Sequence, residues 1–299
     1  MADFRVVTDS SCDLSDEIIK EREIVVIPFN VMQVEGIYKK HRTELGDEEF
    51  YNWMVDNPKL FPKSAAPAIE DFAEAFTEAA KAGEKVICMC ITTKFSCSYQ
   101  SATIAMEMVL ENYPDAKIHV CDTMSNTVLQ GLLVNELCNL RDAGVSFDEA
   151  IRSISSIKTS GRILFTIGGI EYLGKGGRIG KLAGKVGAVL GIRPLITLRD
   201  GEIHPSGVCR GRAKSLEKVL NLIKSYCLEA FKSGDDFVIT VGYGYDYDEA
   251  VLFRDRVSAL LEELGMKNEV PIRRIGAVIG VHTGPYPLGI GIVRKAKIA

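Results

Sequence analysis

The chain contains no C-x-x-C pair, no G-x-S-x-G elbow and no histidine-rich spacing. The first absence argues against a structural zinc site. The second argues against the nucleophile of α/β-hydrolases. No apolar run is long and charge-free enough to cross a bilayer. The start, Met1-Ala2-Asp3-Phe4, runs straight into a strand pattern and not into a signal peptide. A cytoplasmic location is therefore expected. Positive charge is not in excess: the net charge is −4, which disfavours general nucleic-acid binding. Neither an internal repeat nor a low-complexity tract stands out. The eight cysteines are scattered, and Cys88 and Cys90 sit in an apolar run, as buried free thiols do.

What is present fits a globular chain. Its 299 residues suit one large or two ordinary domains, and 46% hydrophobic with 25% charged residues is an ordinary balance. The first half alternates strand and helix patterns. Strands are expected at Phe4–Thr8, Val25–Ile27, Lys85–Ile91 and Ile118–Cys121. Helices are expected from near Asp13, at Asp47–Val55, Ile69–Ala82, Ser98–Glu111 and Met124–Asp142. That order predicts a parallel sheet with helices on both faces. Ligands of such sheets sit beyond the carboxyl ends of strands, which directs attention to Asp9–Ser11, Thr92–Ser98 and Asp122–Asn126.

The second half reads as mixed α/β. Strands are expected at Ile163–Ile167, Phe237–Val241 and Ile275–Val281, with helices over Arg212–Lys232 and Asp248–Leu264. Leu195–Arg199 and Glu202–Gly207 pair across Asp200-Gly201, a hairpin signal. The acidic run Asp246, Asp248, Glu249 reads as a helix opening. The division into domains is expected near residue 160, giving 1–160 and 161–299.

Four segments could carry chemistry. In Thr92-Thr93-Lys94-Phe95-Ser96-Cys97-Ser98-Tyr99, hydroxyls and free N–H groups can converge on an anion where a strand turns into a helix. Ser96 or Ser98 could equally be a plain helix cap. Lys63-Ser64-Ala65-Ala66-Pro67 would ordinarily cap the next helix. Between Tyr172 and Arg199 lie Lys175, Arg178, Lys181, Lys185, Arg193 and Arg199 with no acid, a local basic patch. There Gly180, Gly184, Gly187 and Gly191 share one helical face, opposite aliphatic residues, so a backbone or a ligand tail could approach closely. Gly180-Lys181 is followed by Leu182, not by the Ser or Thr of a phosphate loop. Last, Gly280-Val281-His282-Thr283-Gly284-Pro285 gives His282 a more pointed setting than His41, His119 or His204. A histidine can donate a hydrogen bond to a carboxylate there, or serve structurally.

These segments, in this order, resemble the DegV family over nearly the whole chain. The sharpest parts are Ser96-Cys97-Ser98-Tyr99-Gln100-Ser101-Ala102, Tyr172-Leu173-Gly174-Lys175-Gly176-Gly177-Arg178-Ile179 and His282-Thr283-Gly284-Pro285. The resemblance implies a two-domain α/β carrier without a cofactor, holding a long-chain fatty acid between its domains. It further implies presentation of that acid, as FakB subunits do, to a separate fatty acid kinase subunit that makes acyl phosphate, with only transient membrane contact. By the same resemblance Ser64, Ser96 and the backbone at Cys97 would meet the carboxylate with His282 nearby, Thr283 would belong to the ligand site, and Arg178 and Arg210 would dock the kinase. The chain departs from the family pattern at Ala65-Ala66, at Cys97 in place of glycine, and at Tyr286-Pro287. The competing reading is a small-molecule phosphotransferase or hydrolase that uses the Ser96 loop and His282.

Overall fold

A computed structural model describes residues 3–182 and 192–298. The N-terminal strands are β1 (Phe4–Asp9), β2 (Val25–Ile27), β3 (Asn30–Val34), β4 (Ile37–Lys40), β5 (Lys63–Ala65), β6 (Lys85–Cys90) and β7 (Ile118–Asp122). Helices here are α1 (Asp16–Glu21), α2 (Asp47–Asp56), α3 (Ile69–Lys81), α4 (Ser98–Asn112), α5 (Thr127–Asp142) and α6 (Phe147–Ile157). Strands β2-β1-β6-β7 form an all-parallel sheet. Alternation explains its two covered faces. Phe4, Val6, Ile87 and Met89 point toward Leu133, Leu137 and Ile154 of α5 and α6. Their neighbours Val7, Val86, Cys88 and Cys90 point toward Phe72, Phe76 and Ala105 of α3 and α4.

The C-terminal sheet adds β8 (Arg162–Thr166), β9 (Ile192–Arg199), β10 (Glu202–Arg210), β11 (Phe237–Tyr243), β12 (Ile272–Arg274) and β13 (Leu288–Arg294). Its order is β10-β9-β8-β13-β11-β12, antiparallel except for the β11–β12 pair. Helices α7 (Glu171–Lys175), α8 (Arg212–Ala230), α9 (Tyr247–Glu263) and α10 (Ala277–Thr283) complete the described residues. The predicted hairpin forms, with φ of 54° at Asp200 and 80° at Gly201, the doubly positive pattern of a two-residue turn. Asp246 caps α9 by accepting from the Glu249 N–H.

One sheet face packs on α8 and α9 through Phe237, Ile239, Ile290 and Ile292. The other meets α5. Twelve of the 16 residues of α5 are buried, so it is a helix enclosed on all sides between the two sheets. Close approach there needs bare backbone: a Cβ on Gly291 of β13 would sit 3.0 Å from the Leu129 nitrogen.

Several expectations are corrected. The first α-helix starts at Asp16, because Ser10–Cys12 form a short 3-10 turn and Asp13 adopts φ 50°. The Ile275–Val281 segment is not a strand but the start of α10. Its β-branched residues read as β, yet Asp47 accepts the Ala277 N–H at 2.8 Å and fixes a helical N-terminus. Gly280 then lets α10 lie on α2, where a Cβ would sit 2.6 Å from the Phe50 ring. Tertiary packing overrides propensity here. Short strands β3, β4, β5, β12 and β13 and helix α6 carried no clear sequence signal. Of the predicted glycine face only Gly180 is described, in a 3-10 turn; Gly184, Gly187 and Gly191 lie outside the described residues.

Beneath α10 lie two carboxyls, Asp13 buried and Asp47 half-buried. Burial, with Asp47 nearby, pushes Asp13 up to about 8, and Thr127 donates to its Oδ2 at 2.5 Å. The folded protein thus holds a proton at Asp13 that the unfolded chain releases near the ordinary carboxylate value. Stability from this group is full at acid pH and declines as pH rises from about 4 to about 8. Asp13→Asn is expected to fold and to flatten that decline in urea titrations from pH 5 to 8. An unchanged pH slope would contradict the assignment.

Candidate functional site

A cavity opens between the two sheets at the ends of β6 and β7. Its empty volume is about 960 Å³ with the open mouth included. Phe29, Ile91, Phe95 and Val128 wall it from the N-terminal half, and Ile163, Phe165, Leu198 and Ile203 from the C-terminal sheet. Val278 and Ile279 of α10 close another side. The lining is mainly apolar, with a few polar groups.

Those polar groups include all five residues expected at the ligand site. Ser64, Ser96, Cys97, His282 and Thr283 line the same cavity. Ser64 does not cap α3, whose N-cap is Ala68; it sits in β5, opposite Val31, and its Oγ lies 3.2 Å from His282 Nε2. Ser96 accepts the Ser98 N–H at 3.2 Å, a cap-like bond, and keeps its own proton for another partner. The Cys97 N–H, at the N-cap of α4, meets no protein acceptor among the described residues. Cys97 is the exposed one of the eight cysteines; the other seven are buried. Thr283 donates to the Ile279 carbonyl at 3.1 Å and can still accept.

His282 is held neutral. Burial pushes it down to about 4, and the nearby Arg178 cation acts in the same direction. Its Nδ1 is buried without a partner. The glycine motif after Tyr172 explains how the ring fits: a Cβ on Gly176 would sit 2.2 Å from Nδ1. Among the described residues no carboxylate orients the ring, so the Ser64–His282 pair has no third member of a catalytic triad there.

The loop under this cluster is anchored by Asp9, which is 0% exposed. Its carboxylate is within reach of five donors: Ser11 N, Ser11 Oγ, Gln130 Nε2, Ile91 N and Ser98 Oγ. Ile91 and Ser98 flank the Thr92–Cys97 loop, so Asp9 fixes both of its ends.

Arg178 and Arg210 are both exposed and pair with no carboxylate among the described residues. Their settings differ. Arg178 lines the cavity and clamps the Ser96 loop, donating to the Phe95 carbonyl at 3.1 and 2.9 Å and to Gly176 at 2.8 Å. Arg210 ends β10, opposite Ile192.

A second constellation centres on His41, which has no pointed sequence setting. Asp47, His41 and Ser10 form a chain, with 2.8 Å from Asp47 Oδ1 to His41 Nε2 and 2.9 Å from His41 Nδ1 to Ser10 Oγ. Both His41 and Ser10 are 0% exposed, and Ser10 accepts the Phe29 N–H. This is an internal support for α10 and β3. Ser10 is 31 positions from His41, and the chain gives no local signal. Among the described residues no cluster suited to a metal ion occurs, and no helix is long and apolar enough to cross a membrane.

Two large sheets around an enclosed helix, with the small sheet β4-β3-β5 beside them and an apolar cavity ending in hydroxyls and a neutral histidine, have the form of a small-molecule-binding α/β protein. Residues 3–295 match the family model described as "Uncharacterised protein, DegV family", and the chain belongs to the DegV family. A DegV domain-containing protein of Clostridium acetobutylicum is 30% identical, over 96% of each chain. The structure is similar to that of a stearic-acid-binding protein from Eubacterium ventriosum, at 40% identity and a TM-score of 0.93 over 98% of both chains. A DegV family protein from Thermus thermophilus, described by its fatty acid binding, is 26% identical with a TM-score of 0.86 over 98% of this chain and 100% of that one.

Proposed function

We propose that this protein binds a long-chain fatty acid in the cavity between its sheets and presents the carboxylate to a separate kinase for acyl-phosphate formation. The observation that carries the reading is the convergence of Ser64, Ser96, Cys97, His282 and Thr283 on one apolar cavity. Similarity to the Eubacterium ventriosum and Thermus thermophilus proteins supports it. Burying about fourteen methylenes contributes on the order of 11 kcal/mol before the costs of ordering the tail and desolvating the head. The polar groups then need only orient the carboxylate. Hydroxyls and a neutral imidazole hold it more loosely than a direct lysine or arginine clamp, which suits a group about to be phosphorylated. The two domains are taken as 1–160 and 161–299, dividing just before β8, and the setting as cytoplasmic.

The exposed arginines give the kinase a surface to grip, since a guanidinium fork binds carboxylates in two places. The structure separates their expected effects. Arg210→Ala is expected to leave fatty-acid affinity within about twofold while slowing acyl-phosphate formation by the cognate kinase, an effect that raised salt mimics. Arg178→Ala also releases the Phe95 carbonyl and is expected to weaken both. The assay uses purified carrier, kinase and ATP with a lipid-binding control. Wild-type rates with both variants would remove the docking role, and no acyl phosphate from the intact pair would remove presentation altogether.

A further inference from the structure

The carboxylate site leaves one polar side chain of the cavity without a task. Asn126 is 8% exposed and lines the cavity, and its Oδ1 is fully buried with no hydrogen-bond partner. It stands at the N-cap of α5 with φ −153° and ψ −179°, yet makes no side-chain cap bond. Its neighbours are all engaged. The Ser125 hydroxyl donates to Thr123 Oγ1 at 2.9 Å, and the Ser125 carbonyl accepts the Thr92 N–H at 2.8 Å. Thr127 donates to Asp13. Phe29, Ile91 and Val128 share the wall with it and are apolar.

Buried amides are nearly always paired, and an orphan on a side chain that lines a cavity calls for a partner on the ligand, reached by a small turn of that side chain. A plain methylene tail offers none. We propose that the cavity is built for an acyl chain carrying a hydroxyl group along its length, with Asn126 as the residue that recognises it. This rests on the fatty-acid reading and narrows its ligand class. A hydroxyl fits because it can donate to Oδ1 and accept from Nδ2 at once. A ketone has no proton to give to Oδ1. A carbon–carbon double bond likewise offers no donor. Sites that pair a ligand hydroxyl discriminate strongly against the analogue lacking it, whereas purely apolar walls discriminate weakly.

The test compares dissociation constants of octadecanoate, its positional hydroxy isomers and a keto analogue on delipidated protein. Wild type is expected to bind at least one hydroxy isomer roughly tenfold tighter than octadecanoate, with the preference peaking at one position and the keto chain showing none. In Asn126→Leu that preference is expected to vanish, with octadecanoate bound at least as well as before. Asn126→Ser, a good N-cap residue, keeps a reduced preference and decides the matter if the leucine variant does not fold. Equal or weaker binding of every hydroxy isomer by wild type would overturn the inference, as would an unchanged preference in the variants. Equal weakening of all ligands in Asn126→Leu would do so too, by assigning the amide to the carboxylate. If wild type binds no fatty acid of either kind, the carrier reading itself fails; octadecanoate binding without hydroxyl preference removes this inference alone.

Discussion

Replacing Asp9 with alanine is expected to destabilise the protein by at least about 3 kcal/mol, because it leaves several buried donors without an acceptor. The carboxylate gathers its bonds from the 3-10 turn after β1, from the end of β6, from α4 and from α5. Two of them, from Ile91 N and Ser98 Oγ, set the ends of the loop that carries Ser96 and Cys97. The loss should therefore appear twice, in urea denaturation and in weaker ligand binding by whatever protein remains folded. A variant less than about 1 kcal/mol below wild type would show that water takes over the donors and that Asp9 does not hold the loop.

Ser96→Ala is expected to lower fatty-acid affinity by about ten- to a hundredfold, the worth of one hydrogen bond to a charged group. The ligand-free protein should lose no more than about 1 kcal/mol, since the Ser96 hydroxyl also accepts the Ser98 N–H. The two readouts separate two roles. Full affinity with reduced stability would leave Ser96 as a helix cap only. Reduced affinity with near-normal stability places its proton on the carboxylate.

Much of this was legible in the sequence because it rests on local periodicity. The all-apolar Val86–Ile91 run reads as a central parallel strand, and Asp200-Gly201 as a tight hairpin. Two of the three loops singled out, Thr92–Ser98 and Asp122–Asn126, supply residues that line the cavity, because parallel sheets leave their strand ends open. What could not be read depends on partners far apart in the chain. Helix α10 looks like a strand until Asp47 supplies its first hydrogen bond and Gly280 lets it onto Phe50. Ser64 reads as a helix cap until β5 turns it toward His282, 218 positions away. Asp9 looks like one more loop acid; only the fold shows it to be a hub. The apolar wall from β8, β9 and β10 follows from sheet register, which a single sequence does not encode on its own.

The central claim, that the cavity holds an acyl chain, meets its most direct test in native mass spectrometry combined with solvent extraction of the freshly purified protein. The account predicts one long-chain fatty acid per chain, and a rise in melting temperature when such an acid is returned to delipidated protein. A protein that carries no acyl chain, and whose melting temperature does not move with added fatty acid, would contradict it.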